Sequence, residues 1–262
     1  MAGARVRSSA ARSTPGYRRR PCRSKNPKYR ATADGGSELV CPGFGTFRFD
    51  GRDLGLQLEQ AQSRPDIQAL VLNTGLPFAL MMKGEILIHA AAVQTAQGAV
   101  LFAGPSGVGK SNLAALCARR GYKILADNMV RLDANQNKVY PSFPEIRVFA
   151  KDVRHYPTVA QTLKRSFTKR RMVLGSRFFS KPARLRRIYF LQTTAAALST
   201  EKLSPRQKFE LIMRNTALFG EGSPDLAAGR FARLIRLCDE VSMERLYLPH
   251  RRNLKLKNLL SL

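Results

Sequence analysis

Residues 104–111 read Gly-Pro-Ser-Gly-Val-Gly-Lys-Ser and satisfy the pattern GxxxxGK[ST]. Each residue type in that spacing has a use. Gly104, Gly107 and Gly109 permit backbone angles that turn successive N–H groups toward one phosphate, with Pro105, Ser106 and Val108 between them. Lys110 is long enough to reach terminal phosphates, and the Ser111 hydroxyl can ligate magnesium. Two further residues could join this chemistry. Asp127 ends the run YKILAD and can bind magnesium or accept a proton from an attacking hydroxyl, whose pKa is too high for unaided attack. His89, in LIHAAAV, stands on a separate apolar run upstream of the loop.

The elements that must position these groups follow from local pattern. AVLFA (99–103) predicts a strand into the loop, and NLAALCARRG predicts an amphipathic helix out of it, from Ser111 to Arg120, stopped at Gly121. Residues 86–93 and 99–103, joined by a short polar turn at Thr95 to Gly98, predict a β-hairpin. If Gln94 pairs with Ala99, His89 falls level with Gly104, at the mouth of the loop. A core histidine bonded to a backbone carbonyl is the bland alternative for His89, and a turn-starting acid the bland alternative for Asp127.

Elsewhere FGTFRFD (44–50) alternates as a strand, ALVLN (69–73) is read as a short apolar strand, and PFALMMKGEILIHAAAV as strand, turn at Lys83-Gly84, strand. Ser204-Pro205 and Ser223-Pro224 each place a capping Ser before a Pro that suits the first helical turn, and the first helix is expected to end at Gly220. Residues 150–183, polar, basic and broken by Pro157, Gly175 and Pro182, read as long loop or helix. The fold class is α/β.

The chain has 262 residues, 44% hydrophobic, enough for one large domain with attachments, and lacks an apolar run long enough to span a bilayer. Four cysteines without CxxC pairing (Cys22, Cys41, Cys117, Cys238) disfavour a zinc site or disulfide framework and fit the cytoplasm. The formal charge is +27. Residues 1–33 hold ten Lys or Arg and no acid, and the remainder still carries 35 basic against 18 acidic residues. Such a surface attracts nucleic acid, anionic lipid or an acidic partner, although a generally basic proteome or a misassigned start gives the same composition. Residues 1–37, poor in aliphatics, are expected to form a basic disordered leader. A nucleic-acid arm is the less favoured reading. His155 and His250 lack partners at ligand spacing and read as surface residues. The basic run 164–171 (KRSFTKRR) suits an acidic substrate, a triphosphate or a solvated loop, and LKLKNLLSL suits packing against the domain.

Taken in order, "HAAAV", "GPSGVGKS", "RRGYKILADN" and "PEIRVF" resemble the HPr kinase/phosphorylase family and its shorter relatives, including kinases associated with peptide biosynthesis. The resemblance is strongest over 85–149 and continues weakly through "RRIYFL", "LSPRQ" and "RLYLPHRRNLKLKNLL". It implies a P-loop core of the phosphoenolpyruvate carboxykinase/HPr kinase type, with a mixed sheet and an antiparallel hairpin leading into the loop. It further implies ATP and magnesium as cofactors and transfer of phosphate to a serine hydroxyl of a small protein or peptide. Residues 38–84 are expected to form a β-rich lead-in, in which the family's N-terminal domain is not recognisable, 85–149 the nucleotide-binding core, and 150–262 a basic loop and C-terminal helices.

Carried over by position, Gly104–Ser111 hold the phosphates, Asp127 is the catalytic aspartate and His89 sits beside it. Glu145 resembles the glutamate of the family's "EIRG" segment, a candidate magnesium ligand with Ser111 and Asp127, and is equally read as a solvated strand residue. Arg147 could meet phosphate, and Val148 replaces the family's glycine. Where the family has a second aspartate, this chain has Asn128, which supplies no negative charge; weaker magnesium binding or a lost reverse reaction is expected. Two other readings stay open: a catalytically impaired nucleotide-binding regulatory or nucleic-acid-associated protein, and a small-molecule kinase. A homo-oligomer is compatible with all of them.

Overall fold

The computed structural model describes residues 6–8, 27–149, 162–166, 169–194, 197–218 and 224–249. Among these the chain is a mixed α/β protein that divides into two units, Met1–Glu85 with Leu218–Gly229, and Ile86–Ala217 with Arg230–Leu262.

The first unit has a five-stranded sheet of β1 (Val6–Ser8), β2 (Lys28–Ala31), β3 (Ser37–Cys41), β4 (Gly45–Phe49) and β5 (Leu54–Leu58), in the order β1-β5-β4-β3-β2, with burial alternating along β3, β4 and β5. Only the β1–β5 pair is parallel. Phe47 and Leu39 are fully buried on one face. Two helices cover it, α1 (Arg64–Leu70) and α2 (Leu76–Met82), with a π-helical turn (Val71–Gly75) between them.

Two expectations are corrected here. ALVLN and FALMM are helical, not extended. Ser63 caps α1 by accepting a bond from the amide of Asp66, and each helix has a proline in its first turn. Ile67, Leu70 and Val71 then recur at helical spacing against the sheet, a pattern that a short apolar run does not distinguish from a strand. The leader expected over 1–37 also contains strands. Tyr29 of β2 stacks edge-on to Phe78, and Arg30 pairs with Glu38 across the ladder.

The second unit begins with β6 (Ile86–Ile88), β7 (Ala90–Thr95) and β8 (Gly98–Ala103), followed by α3 (Lys110–Arg119), β9 (Lys123–Asp127), β10 (Val130–Asp133) and β11 (Lys138–Val139). Next come β12 (Glu145–Phe149), β13 (Thr162–Ser166) and β14 (Lys169–Val173). The chain then runs through β15 (Ala183–Thr194), β16 (Ser199–Lys202), α4 (Pro205–Asn215), α5 (Pro224–Glu240) and β17 (Ser242–Pro249). The main sheet is mixed: β8 and β17 run parallel to β15, and the remaining pairings are antiparallel. Alternation along its strands gives two buried faces. One, with Leu101, Ile188, Phe190 and Met243, packs on Ile212 of α4 and on Leu234 and Leu237 of α5. The other, with Val100, Phe102, Tyr189 and Leu246, packs on α3 and on Ile146, Val148 and Met172 of a separate antiparallel sheet, β12-β14-β13. Burial drives the Cys117 thiol of α3 up to about 12, so it stays protonated and packs as a small apolar group.

Hairpin β7–β8 adopts the register the sequence implies, with Gln94 opposite Ala99. Gly98 is required at its turn: φ is 135°, and a Cβ there would lie 2.5 Å from the carbonyl oxygen of Arg184. Two boundaries differ from expectation. Part of 150–183 is the β13–β14 hairpin, whose partner strand β12 is remote in sequence, so no local periodicity announces it. α4 stops at Asn215 rather than Gly220, because Thr216 turns extended (ψ 132°) and bridges to Ile88. Residues 150–161, His155, His250, Cys22 and the segment LKLKNLLSL lie outside the described residues. Among the described residues, no helix is long and apolar enough to cross a membrane.

Candidate functional site

Strand β8 is buried throughout, and its parallel neighbour β15 runs past it, so the chain leaving Ala103 emerges at the carboxyl edge of the parallel strands. That edge is where open α/β sheets place their ligands. The loop that follows is glycine-rich for a geometric reason. Gly104, Gly107 and Gly109 have φ of 152°, 89° and 110°, values that residues with a Cβ rarely adopt. Gly109 is the residue from which α3 starts, so the amino end of a buried helix, with its partial positive charge, is aimed at the loop. Val108 anchors the loop in the α3-side core.

Lys110 is only 6% exposed, and its Nζ donates to the carbonyl oxygens of Gly104 (2.6 Å) and Pro105 (2.9 Å). The ammonium is thereby held inside the curl of the loop. One residue on, Ser111 Oγ donates to Asp127 Oδ1 at 2.8 Å. The second carboxylate oxygen, Oδ2, accepts the backbone N–H of Arg147 at 2.9 Å. Loop, helix start and the end of β9 are thus bound together through one partly buried aspartate.

Asn128 follows directly with φ of 79°, the left-handed region that Asn tolerates better than most residues. The chain turns there from β9 into β10.

His89 sits at a bend between β6 and β7, half-buried, its backbone N–H donating to the carbonyl oxygen of Asn215 at 2.7 Å. Continuing the β7–β8 register brings it level with Gly104. Continuing the register shared by β7–β9 and β6–β10 brings it level with Met129, two positions from Asp127. The expected uninterrupted strand from 86 to 93 is therefore broken at the histidine, and the break is fastened by the end of α4.

Glu145 opens β12, its side chain 11% exposed and its Oε1 3.4 Å from Nη2 of Arg147. The contact between the Arg147 main chain and Asp127 was missed at the level of sequence. Residue types carry no signal for it, because any non-proline residue at 147 supplies the same amide.

Magnesium prefers hard oxygen donors and keeps several of its waters. A serine hydroxyl and a carboxylate oxygen already within hydrogen-bond distance of each other, beside a phosphate-type loop, fit that requirement. Ser111 and Asp127 are the residues that would hold it.

No protein-family model matches the chain, and no curated protein matches it. Among solved structures it is similar to the Hpr(Ser) kinase/phosphatase from Coxiella burnetii, at 14% identity and a TM-score of 0.31, over 66% of this chain and 84% of that one.

Proposed function

We propose that this chain is an ATP-dependent phosphotransferase of the kinase type whose acceptor is a serine hydroxyl on a small protein or peptide. The observation that carries the reading is the bond between Ser111 and Asp127 at the foot of a left-handed glycine loop that encloses Lys110. Loop amides and the start of α3 cradle the β- and γ-phosphates, and Lys110 exchanges its loop carbonyls for phosphate oxygens. Ser111 and Asp127 would hold magnesium, which would supply charge neutralisation to the phosphates. Oδ2 of Asp127, oriented by the Arg147 N–H, takes the acceptor proton as the acceptor oxygen bonds to the γ-phosphorus and the bond to the β-phosphate oxygen breaks, leaving ADP. The backbone N–H of Arg147 fixes the carboxylate for that task. His89, level with the loop mouth, orients or electrostatically tunes it.

The test is transfer of labelled phosphate from ATP to serine peptides. Asp127→Asn is expected to lower the rate about 100-fold or more, the usual scale of a lost general base. Lys110→Ala is expected to abolish nucleotide binding. Transfer unchanged in Asp127→Asn removes the aspartate from the mechanism. A second reading, nucleotide binding without transfer, draws on Asn128, which places a neutral amide directly after Asp127. Tight nucleotide binding with no labelled acceptor of any class favours it.

A further inference from the structure

The glycine loop lies at one end of the main sheet, and the opposite end collects positive charge. β8 and β15 start there at Gly98 and Ala183, β9 starts there at Lys123, and α3 runs back from the loop to finish there at Arg119. The length of β8 sets that end roughly 20 Å from the loop. Five exposed cations gather at it: Arg120 after α3, Lys123 opening β9, Arg177, and Arg184 and Arg186 of β15. Arg177 Nη1 donates to the Gly121 carbonyl at 3.0 Å, which ties it to the turn carrying Arg120 and Lys123. Arg186 Nε donates to the Gln97 carbonyl at 2.8 Å. The ladder sets Lys123 beside Gln94, Gln94 beside Ala99, and Ala99 beside Leu185, which stands between Arg184 and Arg186. Three strand spacings thus separate the two groups by about 15 Å. Among the described residues none of the five is paired with an acid. Asp133, opposite Lys138, and Glu240, bonded to Asn137, lie beyond β11, across β15 from β8, and Glu244 is already paired with Arg187. The helix dipole accounts for a cation at the end of α3 but not for the other four.

We propose that this end of the second unit binds double-stranded nucleic acid by its phosphates, without reading sequence. Four of the five cations are arginines, whose planar fork matches a phosphate with two N–H donors. Arg177 and Arg186 each spend one donor on a loop carbonyl and keep others. A single strand would need aromatic platforms, and the neighbouring Tyr122 and Phe178 are packed into the core. A membrane surface would need apolar side chains to insert. The exposed large hydrophobic residues, Leu218, Phe231 and Ile235, belong to none of these segments. The surface stands independently of the phosphotransfer reading.

The experiment is fluorescence anisotropy of the full chain with a labelled mixed-sequence DNA duplex over a range of salt. The amino-terminal segment is basic as well, so variants of equal charge are compared. One joins Lys123→Gln to Arg184→Gln, exposed side chains without a hydrogen bond among the described residues. The other joins Arg52→Gln to Arg64→Gln, exposed in the first unit. The first is expected to weaken binding at least about tenfold and to flatten the plot of log K against log salt by about 2, close to 1 per phosphate contact. The second is expected to stay within about twofold of the parent chain. If the first variant lowers Tm, Arg120→Gln alone decides, by a slope change of about 1. Equal losses in the two variants, or none in the first, overturn the proposal. So does displacement of the duplex by polyglutamate, or by vesicles of equimolar phosphatidylcholine and phosphatidylserine, at matched charge and salt. Saturating ATP at constant magnesium is expected to leave the duplex bound. Competition would put duplex phosphates in the glycine loop instead and would likewise overturn it, so the two sites fail separately.

Discussion

At the scale of single residues the site is an arrangement around Asp127. One carboxylate oxygen accepts from Ser111 and the other from the Arg147 main chain, so the group is held at two points and cannot rotate without losing a bond. The residue beside it, Asn128, carries no charge. Asn128 occupies a left-handed conformation that Asp also tolerates, and the two side chains have nearly the same shape, so Asn128→Asp tests charge with little change of fold. A second carboxylate beside the Ser111–Asp127 pair is expected to tighten magnesium binding about tenfold, roughly 1.4 kcal/mol. Titration of the transfer rate, or of heat, with magnesium checks it. An unaltered midpoint means that Asn128 does not face the ion. That the loop glycines, Lys110, Ser111 and Asp127 stand together was legible in the sequence, because each could be singled out by residue type and spacing. The Arg147 amide was not, since a backbone group is written into every position.

At the scale of elements, α4 controls the bend at His89 from outside the phosphate loop. The carbonyl of Asn215 accepts the His89 N–H, the Ala217 N–H donates to Leu87, and Thr216 bridges to Ile88. The other end of the helix is fixed by a capping box. The Ser204 side chain accepts from the amide of Gln207, the Gln207 side chain accepts from the amide of Ser204, and Pro205 fills the first turn. Ser204→Ala is expected to cost about 1 kcal/mol and lower Tm by about 2–4 °C, measured by calorimetry. Nucleotide affinity should stay the same, since eleven helical residues separate the cap from the bend. A loss of affinity comparable with the loss of stability would show that the whole helix, not its last turn, sets the histidine. This cap was legible because capping is local chemistry, as were the β7–β8 turn and the stop of α3 before Gly121. The helical character of α1 and α2 was obscured by apolar runs that suit helix and strand alike. The β13–β14 hairpin was obscured for another reason: its pairing with β12 is a long-range event whose basic residues resemble a solvated loop.

At the scale of the whole molecule, two units carry separate cores. Leu39, Phe47 and Phe78 centre the first, while the second is layered on both faces of the mixed sheet. All residues of the glycine loop 104–111, together with Asp127 and Arg147, belong to the second unit. A ligand that binds only the folded second unit stabilises it by mass action, about 2.7 kcal/mol at a free concentration one hundred times Kd. Amide hydrogen exchange reads that gain strand by strand, because buried ladders open with their own unit. With saturating ATP and magnesium, β7, β8 and β9 are expected to slow by up to about 100-fold, the exchange equivalent of that energy. β3, β4 and β5, in the first unit, are expected to keep their rates. Peptide mapping by mass spectrometry resolves the two sets, since Ser37–Leu58 and Ala90–Asp127 are well separated in sequence. Equal slowing in both sets would mean that the units unfold as one cooperative body. Slowing confined to the first would move the nucleotide away from Lys110 and Ser111, and with it the chemistry argued for Asp127.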